Sequence, residues 1–311
     1  MRHGVQLYKC MACGHQFRGK VYLTKEEVWE AYREQKQTVR ELSARYGVSE
    51  STIKRLLKDV SVEWKNPVRG GSVVINIDAT YFGRNVGVLA ALDTQTGEPL
   101  YVKQIKHERV SDYVEAVGEM ENNGYRIAGI VIDGMQSLFK EFTSYNVQMC
   151  QYHMCAIVRR KITKNPKLEA GVDLQKLMRT LKDSKKDDFA SRFYQWKDKW
   201  KSFLNQRTTN NETGKTFYTH QRIRSAMHSI EFYLPWLFTF ENVEGMPNTN
   251  NKIEGTFTDL KKNLDDHSGM SKENRKRFID GFFLALKSKL ERLNKQEEAG
   301  STHSETCPVQ S

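Results

Sequence analysis

Two hydrophobic periods divide the chain. From Thr24 to Val60 the apolar residues Val28, Ala31, Tyr32, Val39, Leu42, Tyr46, Ile53, Leu56 and Leu57 recur at three- and four-residue intervals, the spacing of short amphipathic helices. Gly47 suits the left-handed end of one helix, and Ser49 suits the N-cap of the next. The stretch Thr38–Lys58 therefore reads as a helix-turn-helix. Ala44, Val48, Ile53 and Leu56 are expected to lock its two helices together, leaving Ser51, Thr52, Lys54 and Arg55 to face a major groove. An ordinary helical hairpin carries the same periodicity, and only the fit of turn and cap favours DNA binding over it.

Beyond Asn66–Gly71 the period changes. Three apolar runs, 73–78, 86–92 and 100–105, are separated by short turns such as Asp93–Gly97 and predict a three-stranded antiparallel meander. An amphipathic helix is predicted over 110–122, then strands over 127–133 and 147–152. This order implies a mixed α/β sheet flanked by helices. Residues 153–245 read as helical, and Trp196, Trp200 and Trp236 are expected in their core. Asn248–Asn251 should cap a helix carrying Ile253, Glu254, Phe257 and Leu260, followed after Gly269 by a last helix to about Leu293. The predicted organisation is an N-terminal segment 1–20, a helix-turn-helix domain 21–65, a sheet domain in two parts (71–158 and 246–293), a helical insertion 159–245, and a disordered polar tail 294–311.

Composition adds charge to this picture. Lysine and arginine outnumber aspartate and glutamate 49 to 38, a formal charge of +11, so polyanions, nucleic acid first, are the natural partners. No run of about 18 apolar residues occurs and the first residues lack the apolar stretch of a secretory signal, so no membrane partner is expected and the expected location is the cytoplasm, on the nucleoid. Five cysteines, an odd number, do not make a disulfide framework. Cys10 and Cys13 have the spacing of a zinc knuckle, but four ligands are needed and the next cysteine is Cys150, so the pair reads as half of a zinc ribbon even if His3 and His15 are counted as candidates.

Three carboxylates stand out by position. Asp78 ends the first predicted sheet strand, Asp133 ends the fourth, and Glu254 lies on the first turns of a later helix. A buried strand seldom carries aspartate unless the charge is paired or bound to a cation, because desolvating a lone carboxylate is costly. Carboxylate oxygens suit hard cations such as Mg²⁺ or Mn²⁺, and two such ions activate a water or 3′-hydroxyl and stabilise the leaving oxygen at phosphorus. Any one of the three alone is also explained as a turn aspartate or a solvated glutamate.

The motifs Ile77-Asp78-Ala-Thr-Tyr, Val131-Ile-Asp133-Gly134, Cys150-Gln-Tyr-His153 and Asn248-Thr-Asn-Asn-Lys-Ile-Glu254-Gly255 together resemble those of Mutator-like bacterial insertion-sequence transposases, in the variant group with an N-terminal zinc ribbon and helix-turn-helix. The resemblance covers residues 5–293. It implies an RNase H-like fold interrupted by a helical insertion, a catalytic and metal-binding triad of Asp78, Asp133 and Glu254 holding two Mg²⁺ or Mn²⁺ ions, and cleavage of double-stranded DNA at transposon ends with transfer into target DNA. A homodimer or higher oligomer on DNA is expected with it. Cys150 and His153 match the family's C/D-x-x-H signature and are expected to flank the active site; no second ligand pair lies near them in sequence, which disfavours a soft-metal role. A truncated or domesticated DNA-binding protein without transposition activity is the alternative.

Overall fold

The computed structural model describes residues 7–18, 23–267 and 270–301. His3, Gly269 and residues 302–311 lie outside that range. The chain divides into two compact units, Met1–Glu63 with Lys262–Phe282, and Trp64–Lys261 with Phe283–Ser311.

In the first unit, strands β1 (Leu7–Lys9) and β2 (Gln16–Arg18) pair antiparallel around a turn. Three helices follow: α1 (Lys25–Arg33), α2 (Val39–Tyr46) and α3 (Glu50–Asp59). Thr24 and Thr38 each open a helix with a reciprocal capping box, to Glu27 and Glu41, satisfying backbone donors that a helix start leaves unpaired. Gly47 closes α2 at φ 63°, a left-handed conformation that favours glycine, and the Ser49 side chain accepts from Thr52 N–H to start α3. This helical segment thus forms where the periodicity puts it. Its core is Val28, Ala31, Tyr32, Leu42, Ile53 and Leu57. Ala44, expected in that core, is exposed, and Leu57 takes the buried place while Leu56 is half-buried. Tyr32 packs on His267 and Phe278 from the later segment, with ring centroids 4.0 and 6.0 Å apart. Gly281 passes so close to Trp29 that a Cβ would come within 2.7 Å of the indole.

The second unit is built on a five-stranded sheet. Strand β3 (Gly71–Tyr81) is flanked by antiparallel β4 (Gly87–Asp93) and, beyond it, β5 (Pro99–Ile105); on its other side parallel β6 (Tyr125–Ile132) and β7 (Val147–Met149) follow, with α4 (Val110–Asn122) crossing over between β5 and β6 and α5 (Gln136–Glu141) between β6 and β7. The order 3-2-1-4-5, with three antiparallel strands and two parallel ones, is that of an RNase H-like sheet. Ile75 and Ile77 of β3 and Ile130 and Ile132 of β6 bury one face under Tyr113, Ala116, Val117 and Met120 of α4. Val74, Val131 and Met246 pack on the opposite face. Between Val73/Ile127 and Val74/Gly129 the pairing of β3 and β6 shifts by one residue, leaving Ala128 as a bulge.

After β7 the chain forms α6 (Gln151–Ile162), α7 (Glu169–Arg179), α8 (Lys186–Lys199), α9 (Lys201–Leu204), a hairpin of β8 (Arg207–Thr209) and β9 (Thr216–Tyr218), and α10 (Gln221–Tyr233). The hairpin lies in a stretch expected to be helical throughout; both strands are three residues long and almost wholly exposed, so no apolar alternation announces them. Trp196 is buried and donates to Ala170 O at 3.0 Å, Trp200 donates to Asp173 at 3.2 Å, and Trp236 rests on Phe139 with centroids 5.0 Å apart. One contiguous apolar core runs from Ile75 and Ile132 of the sheet to Phe189, Phe193 and Trp196. Finally α11 (Asn251–Asp265) and α12 (Lys272–Ser301) follow. α12 continues through Ser301, past the expected end at Leu293, so residues 294–301 of the expected disordered tail are helical.

Candidate active site

Asp78 and Asp133 are brought together by strand register. Asn76 pairs with Val131 on the parallel neighbour, and the register continued two residues further directs Asp78 towards Asp133, whose charge is felt at Asp78. β3 does not end at Asp78 as expected but runs to Tyr81, because the antiparallel pairing with β4 continues to Gly87. Asp133 follows the last residue of β6. The Asp78 carboxylate accepts from Ala79 N–H at 2.8 Å and that of Asp133 from Met135 N–H at 3.3 Å. Burial pushes the Asp78 carboxyl up to about 8, and Asp133, Glu108 and Glu254 push it the same way against the pull of the Ala79 amide.

Glu108 was not anticipated. It lies between β5 and α4 in the polar run Lys-His-Glu-Arg, whose composition marks only a loop. Its carboxyl accepts from Tyr113 Oη at 2.6 Å and is raised by burial and by Asp133, which that hydrogen bond partly opposes. With Asp133, Gly134, His153, Lys161 and Tyr233 it lines a cleft of about 480 Å³.

Glu254 comes from elsewhere. The strand expected over 147–152 stops at Met149; Cys150 turns the chain into α6, and His153 lies on the first turn. Gln151 N–H donates to Asn248 O at 2.9 Å, Asn248 Nδ2 donates back to Gln151 Oε1 at 3.1 Å, and Asn250 N–H donates to the buried Cys150 sulfur at 3.3 Å. Gln148 and Gln151 both donate to Leu237 O at 2.9 Å. These bonds clamp 248–250 onto the start of α6. Asn250 O then accepts from Glu254 N–H at 3.1 Å, which fixes the first turn of α11. Cys150 thus holds the segment that leads into the helix carrying Glu254, and His153 Nδ1 lies 3.5 Å from Glu254 Oε1.

Among the described residues one group of potential ligands closes to within 4.8 Å: Cys150, His153 and Glu254. Asp78, Asp133 and Glu254 do not close that tightly. Glu254 is near enough to Asp78 to raise its pKa, and His153 shares a cleft with Asp133. His153 Nδ1, Glu254 Oε1 and the side-chain amides of Asn76 and Asn250, buried to 1% and 0% exposure, have no hydrogen-bond partner. Orphaned buried donors and acceptors beside converging carboxylates fit a site that binds a cation. The oxygen-rich Asp78, Asp133 and Glu108 side suits a hard ion such as Mg²⁺ or Mn²⁺.

The remaining sequence candidates lie in the other unit. On α3, Ser51, Lys54 and Arg55 are exposed; Lys54 is paired with Glu50 at 3.4 Å, and Thr52 Oγ1 is 3.0 Å from Ser49 Oγ as part of the cap. Cys10 and Cys13 occupy the β1–β2 turn, closed by Cys10 N–H to His15 O at 2.8 Å, and the backbone amides of Cys13 and Ala12 lower the Cys10 thiol. That is a knuckle with two ligands; among the described residues no third joins it.

No family model and no curated protein matches the chain. Among solved structures it is similar to a Drosophila P element transposase strand transfer complex, at 11% identity and a TM-score of 0.39, over 87% of this chain and 94% of that one. It is also similar to a simian T-cell lymphotropic virus intasome in complex with the PP2A regulatory subunit B56 gamma, at 12% identity and a TM-score of 0.22, over 60% of each chain. At these identities and scores the similarities do not bear on the residues of the site.

Proposed function

We propose that the protein is a DDE-type DNA transposase, in which α3 of the helix-turn-helix recognises DNA and Asp78, Asp133 and Glu254 carry strand cleavage and strand transfer. The observation that carries this reading is the convergence of Asp78 and Asp133 at neighbouring strand ends, where burial and the Asp133 charge both oppose ionisation of Asp78. Such a pair is expensive in isolation and is relieved by a divalent cation. Asp78 and Asp133 would hold Mg²⁺ or Mn²⁺, with Glu108 beside them and Glu254 brought in from α11. When bound, two such ions supply the activation of water or a 3′-hydroxyl and the stabilisation of the leaving oxygen. The chain's own part is to keep the carboxylates converged, through sheet register on one side and the Cys150–Asn250 clamp on the other.

A second reading follows from the tight Cys150, His153 and Glu254 cluster: a single soft ion held apart from the aspartates. Burial pushes the Cys150 thiol up to about 11, which works against the thiolate such an ion needs and favours the first reading.

The test is incubation of the protein with labelled duplex carrying the DNA that flanks its reading frame. Wild-type protein should nick and join it in Mg²⁺ or Mn²⁺ but not in EDTA, and Asp78→Asn, Asp133→Asn and Glu254→Gln should each lose both steps while still binding duplex. An Asp133→Asn protein that cleaves at the wild-type rate would sink the proposal. If Glu254→Gln alone stays active, Glu254 belongs with Cys150 and His153 instead.

A further inference from the structure

The cleft beside Asp133 does not end there. Gln136, Lys161 and Ser229 also line a second cleft of about 420 Å³, so the two adjoin along α6 and α10. The second one is lined by Tyr218, Gln221, Arg224, Ser225 and His228 besides these three, with no carboxylate among them.

Its cations are unusually placed. Lys161 Nζ donates to Ser225 O at 3.0 Å and to the hydroxyls of Ser225 and Ser229, both at 2.7 Å, so its hydrogen bonds all go to neutral acceptors. Burial and the neighbouring Arg160 both work against its charge. Arg224 likewise donates to Leu204 O and Asn205 Oδ1, both at 3.0 Å, and its guanidinium lies 3.6 Å from the Tyr218 ring. Arg160 is exposed. Among the described residues none of these three cations is in an ion pair, whereas His228 is held by Glu231, which Lys197 also neutralises. Three uncompensated positive charges thus mark a path that opens on an acidic pair. Cations fixed by neutral hydrogen bonds keep their field for an incoming anion.

We propose that this track binds one strand of nucleic acid through its phosphates, at Arg160, Lys161 and Arg224, and leads it to Asp133. The proposal rests on the reading of Asp78 and Asp133 as a site that acts on DNA. It is a backbone track: two guanidinium groups, those of Arg207 and Arg224, already pack on the Tyr218 ring, at 4.2 and 3.6 Å, in place of a base. Binding should therefore ignore base sequence.

The experiment is fluorescence anisotropy of the full-length protein with labelled single-stranded oligonucleotides, oligo-dT and a mixed sequence, over a range of salt in EDTA. A strand contacting three phosphates through these cations should give a salt slope containing about 0.7 per contact. Arg160→Ala should weaken binding several-fold and lower the slope by about 0.7, Arg160→Glu should weaken it further, and Arg160→Lys should restore it. Unchanged affinity and slope in both Arg160→Ala and Arg160→Glu would overturn the track, as would loss of duplex binding in place of single-strand binding. Because no cleavage is read, inactivity in the strand-cleavage test with a normal Arg160 effect would fault the catalytic reading alone, and active cleavage with no Arg160 effect would fault the track alone.

Discussion

At Asp78 the fold holds a carboxyl group where ionisation is costly, and stability must respond to pH. The folded chain binds this proton more tightly than the unfolded chain, whose aspartates titrate near 3.8. The contribution of Asp78 is therefore most favourable below about pH 4 and is lost progressively as pH rises to about 8. Asp78→Asn removes that loss. In EDTA the variant should melt higher than wild type, by about 1–3 kcal/mol or roughly 5 °C at pH 8, with the gap closing toward pH 4. Scanning calorimetry across that range checks it; equal melting temperatures at pH 8 would mean Asp78 is not strained. Asp78 and Asp133 were legible in the sequence because each interrupts an apolar run with a charge. Glu108 was not, since its neighbours Lys106, His107 and Arg109 are what any loop carries, and its burial arises only when α4 folds over it.

Among the elements, those with strong local signals matched the sequence closely: α4 fills 110–122, and the α2–Gly47–Ser49–α3 turn forms as its caps require. One miss is a boundary set by a partner distant in sequence. β7 ends at Met149 because Cys150 is committed to Asn250, a hundred residues on, and no local pattern reveals that bond. Gly281 of α12 is a comparable case. A helix interior ordinarily gains 0.5–1 kcal/mol from alanine in place of glycine. Here the new methyl would stand 2.7 Å from the Trp29 ring, and overpacking of this kind costs about 1–3 kcal/mol. Gly281→Ala should thus be destabilising by about 1 kcal/mol, and adding Trp29→Leu should recover much of the loss. Urea melts of the two single variants and the double decide it; a stabilised Gly281→Ala protein would show that Trp29 yields freely.

Across the larger of the two units, the region after β7 is not a cassette resting on a finished sheet. Gln148 and Gln151 spend their amides on Leu237, Tyr233 donates to Gly134, and Phe139 packs on Trp236, so the sheet's own polar and apolar needs are met by residues of 159–245. Deleting 159–245 behind a short linker should leave no folded sheet, read as loss of near-ultraviolet circular dichroism and of a cooperative melt. A deletion variant that melts cooperatively would show the sheet to be self-sufficient.

The bulge at Ala128 has a bearing on chemistry out of proportion to its size. Before it, Tyr125 and Ile127 point into the main core; after it, Ile130 and Ile132 do, a step of three where a regular strand allows only two. Had the same residues of β6 alternated regularly with no bulge at Ala128, the core-facing parity would have passed to 129, 131 and 133, and Asp133 would have been driven into the oily side of the sheet, away from Asp78. The meeting of the two aspartates is thus a matter of odd and even: the chain counts one extra residue five positions upstream, and that count, not any property of the acid itself, decides on which side of the sheet the charge emerges.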